Sequence, residues 1–97
     1  MVVMHKKTIR AYGAANPRAK EALDLWYAQV VEVSWATPTD VRNTMGYADQ
    51  IGDERFVFNI KGNHYRLIVK IHYNSGRMFI RFVGTHAEYS KINAEEI

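Results

Sequence analysis

Basic and imidazole side chains alternate with apolar ones over the second half of the sequence. Residues 55–91 carry seven Lys and Arg side chains and one acidic side chain, whereas residues 1–54 carry six basic and seven acidic ones. The polar positions that share one face of the predicted strands are Asn59, Lys61, His64, Arg66, Lys70, His72, Arg77 and Arg81. Arg can hold phosphate oxygens through two N–H groups, and His can move a proton near neutral pH. The block therefore suits a phosphodiester, although a plain solvated sheet face also has this composition.

A short helix predicted after this block adds two further polar side chains. Thr85 and Glu88 fit a capping box, in which the Thr85 hydroxyl accepts a hydrogen bond from the Glu88 N–H and the Glu88 carboxylate accepts one from the Thr85 N–H. The pattern predicts a closing helix from His86 to about Ile92. His86 and Tyr89 are three residues apart and so lie on one side of it, a few residues beyond Arg81. Tyr can stack on a base or pass a proton.

RNA carries its own nucleophile, the 2′-OH, so its cleavage needs positioning, a proton acceptor, a proton donor and cations that stabilise the transition state. No cofactor is required. A Mg²⁺ site would need clustered carboxylates, and this half of the chain offers Glu88, which the cap already uses. A zinc site is disfavoured because His64 and His72 are eight residues apart in sequence, roughly 26 Å along a strand. We therefore predict no metal.

Period-two alternation predicts the strands that position these residues. One run spans 55–60, with Phe56, Phe58 and Ile60 on its core face. The next places Tyr65, Leu67, Val69, Ile71 and Tyr73 on one side. A two-residue turn at Gly62-Asn63 would pair Ile60 with Tyr65, Asn59 with Arg66, and Lys61 with His64.

The third run has Met78, Ile80 and Phe82 on one face, with Phe79, Arg81 and Val83 on the other. A plain loop at 74–76 would pair a core face with a basic face, so we expect a bulge there, with Gly76 left-handed.

Helical patterns precede the strands. Val2–Met4 reads as a short strand and Thr8–Ala15 as a short helix that turns Ile9 and Tyr12 inward. Asn16-Pro17 indicates a helix start, followed by a helix to about Val33 whose apolar stripe is Ala19, Leu23, Trp26, Val30 and Val33. Thr37-Pro38-Thr39-Asp40 starts a short helix around 41–45 that Gly46 ends, and 47–54 reads as a loop.

Length and composition limit the architecture to one domain, residues 1–97. Cys is absent, so packing and not disulfides must hold the fold. No apolar run approaches a membrane span or a signal peptide, which predicts a cytoplasmic protein without a membrane partner. The element order predicts an α+β fold, with N-terminal helices on one face of a three- to four-stranded antiparallel sheet and a short C-terminal helix.

Three phrases in the sequence are similar to those of a known family. RFVFNIKGNHYRLIV from Arg55, FIRFVGTHAEY from Phe79 and WATPTDV from Trp35 resemble the HigB toxins of the RelE-like superfamily, in type II toxin–antitoxin systems. The resemblance covers about residues 35–97. It implies the small RelE-like fold and an mRNA interferase, an endoribonuclease that cuts mRNA on the translating ribosome and is neutralised by a cognate antitoxin. That antitoxin would be HigA-like and DNA-binding.

The resemblance also implies roles for particular residues. Arg66 and Arg81 would hold the phosphate, and His86 or Tyr89 would transfer a proton or stack on a base. These four are the predicted catalytic set, and the predicted RNA-binding set is Asn59, Lys61, His64, Lys70 and Arg77. The division of acid and base roles among Lys61, His64, His86 and Tyr89 stays open.

Two other functions fit parts of the pattern. A toxin of the same fold that binds DNA gyrase would cut no RNA and would need no proton-transfer group at His86. A plain RNA-binding module would need the basic face but would leave the pairing of His86 with Tyr89 unexplained.

Overall fold

The α+β class is confirmed, but the sheet is larger than predicted and mixed in direction. The computed structural model describes residues 1–46, 48–52, 54–62 and 64–97. The elements are β1 Val2–Met4, α1 Lys6–Ala15, α2 Pro17–Val30, α3 Pro38–Thr44, β2 Ala48–Gln50, β3 Arg55–Ile60, β4 Tyr65–His72, β5 Arg77–Thr85 and α4 His86–Tyr89. The described strands form a sheet of order β1-β5-β4-β3-β2, in which β1 runs parallel to β5 and the other pairs are antiparallel. The arrangement is compatible with a RelE-like fold.

The helical layer packs on one face of this sheet through the predicted stripe of α2. Ala19, Leu23, Trp26 and Val30 are buried, and the Trp26 ring meets Phe58 of β3 edge-on at 5.5 Å between centroids. Helix α2 ends at Val30 and not near Val33 as predicted. Val33 lies beyond the end of the helix but still packs against the core. Its apolar side chain therefore continued the helical pattern and made the predicted helix too long.

Asn16 lies between α1 and α2 as predicted, but its side chain acts differently. Its amide donates to the Tyr12 main-chain oxygen at 3.0 Å and makes no cap bond to α2. The Tyr12 oxygen also accepts from the Asn16 main-chain N–H at 2.8 Å, so the side chain supplies this carbonyl at the end of α1 with a second donor.

The loop predicted for 47–54 is wrong in part. Ala48–Gln50 form a short edge strand whose residues pair with 56–58 of β3. This strand has only three residues, two of them polar, which is too short to show a strand periodicity in the sequence. Its strand conformation depends on pairing with β3. Residues Tyr47 and Asp53 of that segment, and Asn63 of the predicted turn, lie outside the described residues.

The register of β3 and β4 is confirmed, with Ile60 opposite Tyr65 and Asn59 opposite Arg66. Strand pairing ends there, and the predicted contact of Lys61 with His64 is a turn hydrogen bond, from the His64 N–H to the Lys61 oxygen at 3.3 Å. Lys61 has φ 53° and Gly62 has φ 63°, both left-handed. A left-handed backbone at Lys61 is uncommon for a residue with a Cβ and is held here by the tight turn.

The bulge exists, but not where the sequence placed it. Gly76 is left-handed as predicted, with φ 67°, and His72 pairs with Arg77 without a shift. The register instead shifts where Ile68 faces Phe82 and Val69 faces Ile80, which leaves Arg81 as the extra residue.

This shift corrects two predicted faces of β5. Beyond the bulge Val83 packs against the core, whereas Phe82 lies opposite Ile68 on the other side of the sheet. The two residues have exchanged the faces assigned to them, because one inserted residue reverses the alternation.

The second sheet face is not simply solvated. Val57 and Ile68, which point away from the helical layer, are 2% and 0% exposed. Residues 86–97 return towards this face: the Tyr89 ring lies beneath Arg66, and both Arg55 and Arg81 donate to the Ile97 main-chain oxygen. Helix α4 is shorter than predicted and gives way to turns after Tyr89. Among the described residues, no helix combines the length and apolar character needed to cross a bilayer.

Candidate active site

A pocket of about 320 Å³ opens at one end of the sheet, where three parts of the chain meet. These parts are the first turn of α2, the turn between β3 and β4, and the junction of β5 with α4. Its lining residues are Arg18, Lys61, His64, Tyr65, Thr85, His86 and Ala87. Its volume is near the lower end of the roughly 300–1,000 Å³ of small-molecule sites, a size suited to part of a nucleotide.

The two histidines of the pocket are joined through the main chain. The His86 N–H donates to the His64 oxygen at 3.2 Å, as an extension of the β4–β5 ladder in which Tyr65 pairs with Thr85. Both imidazoles are exposed. His86 was predicted as catalytic and His64 as RNA-binding, and the structure places them together.

Lys61 and Arg18 form another wall of the pocket. The Lys61 ammonium donates to the main-chain oxygen of Arg18 at 3.1 Å, across 43 residues of sequence. Lys61 was predicted from its strand, but the contribution of Arg18 was missed. Sequence periodicity placed Arg18 on the exposed side of α2 and carried no signal that this turn of helix meets the β3–β4 turn.

Arg66 and Tyr89 lie together beside the pocket, on the second sheet face. The Arg66 guanidinium carbon is 5.8 Å from the centre of the Tyr89 ring, within the distance of a cation–π contact. Arg66 pairs with Gly84 on β5, immediately before the pocket residue Thr85. Arg66 also follows the pocket residue Tyr65 in β4, so its main chain lies at the edge of the pocket.

Glu88, the acidic residue of α4, forms hydrogen bonds that hold the start of this helix. Its Oε1 accepts from the Thr85 N–H at 2.8 Å, while its own N–H donates to the Thr85 hydroxyl at 3.1 Å, which confirms the capping box. The Tyr12 hydroxyl donates to the same carboxylate at 3.4 Å. Hydrogen bonds to the Glu88 carboxylate, chiefly that from the Thr85 N–H, lower the pKa of Glu88. The pKa of Tyr12 is raised, first by burial of its hydroxyl and second by the negative charge of Glu88.

Arg81 is not in the pocket. It is the bulge residue of β5, and its Nε donates to the Ile97 oxygen at 3.1 Å. Arg55 reaches the same oxygen from β3. The guanidinium predicted to hold the phosphate is thus engaged by the end of the described chain, on the same sheet face as Arg66.

The remaining predicted RNA-binding residues are spread along the sheet. Asn59 lies opposite Arg66 at the pocket end. Lys70 faces Phe79, and Arg77 faces His72 at the far end of the β4–β5 ladder. Arg66 and Lys70 are four residues apart in one strand, about 13 Å at the usual rise. Lys70 and Arg77 therefore lie away from the pocket and form no part of its lining.

The pocket holds two imidazoles, one ammonium and one guanidinium, with a second guanidinium and a phenol beside it. Such a set can bind an anion and can both accept and donate a proton. Within the described parts of the chain, no three His, Cys, Asp or Glu side chains come together as a group of metal ligands.

Comparison with known proteins gives two findings. A family model described as the HigB toxin, the RelE-like toxic component of a toxin–antitoxin system, matches residues 19–92. A protein of Escherichia coli O6:H1, strain CFT073, named mRNA interferase HigB is 26% identical over 94 residues, which cover 95% of this chain and 91% of that protein.

Proposed function

Since the chain belongs to the HigB toxin family of RelE-like toxic components of toxin–antitoxin systems, we propose that it is an mRNA interferase whose cleavage site is the pocket between His64 and His86. The observation that carries the proposal is the meeting of these two imidazoles with Lys61 in one pocket, next to the Arg66–Tyr89 contact. The similar protein of Escherichia coli supports this activity, because it is named an mRNA interferase.

The reaction is an attack of the ribose 2′-OH on the adjacent phosphorus. The bond from the 2′-oxygen to phosphorus forms, the bond from phosphorus to the 5′-oxygen breaks, and the products end in a cyclic 2′,3′-phosphate and a 5′-OH. One imidazole of the pair takes the 2′-OH proton, and the other gives a proton to the departing 5′-oxygen. No metal takes part in these steps.

Charge stabilisation comes from the cations around the histidines. Arg66 binds the scissile phosphate, and the Tyr89 ring beneath it holds the guanidinium in place. Lys61 supports the same charge from the other side of the pocket, where its ammonium is tethered to α2. Asn59 contacts RNA beside Arg66, whereas Arg81 and the outlying Lys70 and Arg77 bind RNA beyond the reacting nucleotides.

The physiological substrate is mRNA on the translating ribosome, and a cognate HigA-like, DNA-binding antitoxin neutralises the enzyme in the cytoplasm. Helix α4 spans His86–Tyr89, four residues, and depends on its capping box, so it is an element that a bound antitoxin segment can displace. An antitoxin that covers the basic face or moves α4 would block the pocket. A stoichiometric antitoxin complex that still cuts RNA at the full rate would contradict this part of the proposal.

Primer extension on an mRNA tests the function directly. Purified protein is incubated with the message, with and without translating ribosomes, beside the His86→Ala and Arg66→Ala variants. We expect new 5′ ends in the presence of ribosomes that both variants lose. Absence of cuts in either condition would favour the gyrase-binding toxin or the RNA-binding module, and cuts that survive His86→Ala would exclude this histidine from the chemistry.

A further inference from the structure

Arg18 brings a cation from the helical layer into the pocket, and the reaction as described does not use it. It is exposed in the first turn of α2, lines the pocket with Lys61, His64 and His86, and has no carboxylate within ion-pair distance among the described residues. Lys20, two residues further on, is paired with Asp24 at 2.7 Å. Among the described residues, Arg18 is therefore a cation in a concave site that forms no ion pair with a carboxylate.

The position of Arg18 is unfavourable for the helix itself. Partial positive charge collects at a helix N-terminus, so acidic residues stabilise the first turn and basic residues oppose it. The first turn of α2 contains no acidic side chain and begins with Pro17 and Arg18. Helix stability thus does not account for an arginine here, which leaves its place in the pocket as the physical reason for the residue.

The Lys61 contact holds this arginine next to the site. Because the Lys61 ammonium binds the Arg18 main-chain oxygen, the first turn of α2 stays against the β3–β4 turn. Arg66 approaches the pocket from the second sheet face, whereas Arg18 approaches from the helical side. An RNA strand that crosses the end of the sheet would therefore meet the two guanidiniums at different points along its backbone.

We propose that Arg18 is a substrate-binding residue that holds the phosphate adjacent to the scissile one in single-stranded RNA. This inference rests on the proposed function for the identity of the scissile phosphate. The guanidinium fork matches two phosphate oxygens, which explains why an arginine suits this place better than a lysine. Binding at a neighbouring phosphate positions the strand and takes no part in proton transfer.

Binding of an uncleavable RNA tests Arg18 separately from cleavage. The probe is a fluorescent single-stranded oligonucleotide with 2′-O-methyl riboses, titrated by anisotropy at several salt concentrations. The variants are Arg18→Ala, Arg18→Lys and, as the matched control on the same helix, Lys20→Ala. Thermal unfolding of each variant checks the fold, and Arg18→Ala is expected to melt no lower than the wild type.

We expect Arg18→Ala to weaken binding about tenfold and to reduce the slope of log K against log salt by about 0.7, the value for one phosphate contact on a single strand. Arg18→Lys should keep the slope and recover part of the affinity. With ribosome-bound mRNA as the substrate, Arg18→Ala should raise KM and leave kcat within about threefold of the wild type.

An Arg18→Ala variant whose affinity and salt slope equal those of Lys20→Ala would overturn the inference. So would a fall in kcat at unchanged KM, which would place Arg18 in the chemistry. Failure of the proposed function has a different signature: the wild type would bind the probe but leave mRNA on translating ribosomes intact, and the binding data would still show whether Arg18 contacts RNA.

Discussion

The main-chain N–H of His86 donates to the main-chain oxygen of His64 at 3.2 Å. This hydrogen bond extends the pairing of β4 with β5 by one step beyond Tyr65 and Thr85. The sheet therefore fixes the main-chain positions of the two histidines relative to each other. A backbone-fixed pair can hold a 2′-OH and a departing oxygen between two proton-transfer groups.

Replacing either histidine by Ala should lower the single-turnover cleavage rate by about 10²- to 10⁴-fold, the usual effect of removing a general acid or base. His72→Ala is the matched control, since His72 is exposed at the far end of β4 and its Nδ1 lies 2.8 Å from the Ser75 hydroxyl. Single-turnover cleavage of a short mRNA bound to ribosomes measures the effect. Equal activities of His64→Ala and His72→Ala would show that His64 takes no part in proton transfer.

The contact of Arg66 with Tyr89 predicts that the ring of Tyr89 matters more than its hydroxyl. Tyr89→Phe keeps an aromatic face beneath the guanidinium, so its cleavage rate should stay within about fivefold of the wild type, whereas Tyr89→Ala should lose at least tenfold. Arg66→Ala should lose more than Tyr89→Ala because it removes the phosphate ligand itself. A Tyr89→Phe variant as inactive as Tyr89→Ala would assign the phenol to proton transfer.

Arg81→Ala should affect the end of the chain more than the chemistry. The Arg81 Nε binds the Ile97 oxygen, and one such hydrogen bond contributes about 0.5–1.5 kcal/mol. Hydrogen exchange of residues 93–97 should become faster, and the cleavage rate should fall less than in Arg66→Ala. Arg55→Ala, which removes the other donor to that oxygen, should show the same exchange pattern. Loss of cleavage in Arg81→Ala equal to that in Arg66→Ala would mean that Arg81 binds the reacting phosphate.

Gly84 is required by the ring of Phe82. A Cβ at residue 84 would lie 2.6 Å from Phe82 Cζ and 3.1 Å from Glu88 Oε1. Gly84→Ala should therefore lower the free energy of unfolding by about 1–3 kcal/mol, as overpacking does. In a Phe82→Leu background the same change should cost less, and chemical denaturation of the four proteins measures this coupling. If the changes in unfolding free energy of Gly84→Ala and Phe82→Leu simply add, the Phe82 ring moves aside without cost.

The two capping boxes predict that the protein loses stability in acid. Hydrogen bonds hold the pKa of Asp40 below 3.8, chiefly that from the Ala36 N–H, and the pKa of Glu88 below 4.5, chiefly that from the Thr85 N–H. A carboxylate with a lowered folded pKa stabilises above its unfolded pKa, and the effect is lost as pH falls through the folded value. Glu88→Gln should thus be less stable than the wild type at pH 7, and the difference should shrink as the pH falls below 4.5 and through the lowered pKa of Glu88. Urea denaturation across pH measures this difference, and a constant gap would contradict the assignment.

Local pattern was sufficient for most of the fold. The alternation in 55–60 and 65–72 predicted both central strands and their register, because each strand has one apolar face and one polar face. The capping box at Thr85 and the helix start at Thr37 were readable from four residues each, although the second helix begins at Pro38, earlier than predicted, and Thr37 and Asp40 also form a capping box. Val2–Met4 was predicted as a strand, but its parallel partner β5 lies more than 70 residues away and was not readable from three residues.

Other features needed the tertiary structure. The bulge at Arg81 depends on how β5 fits β4, so its position and the faces of Phe82 and Val83 could not be read from β5 alone. The edge strand Ala48–Gln50 exists because β3 offers it a partner.

The site divides in the same way between sequence and structure. The sequence by itself determined the residue types of the proposed site, since His64, Arg66, His86 and Tyr89 stand in strongly patterned segments. Only the tertiary structure decided which of them meet: it joins His64 to His86, sets Arg66 on Tyr89, brings Arg18 to Lys61, and leaves Lys70 and Arg77 apart. The physical reason is that a strand or helix pattern fixes the face on which a side chain lies, whereas distances between elements depend on packing across the whole core.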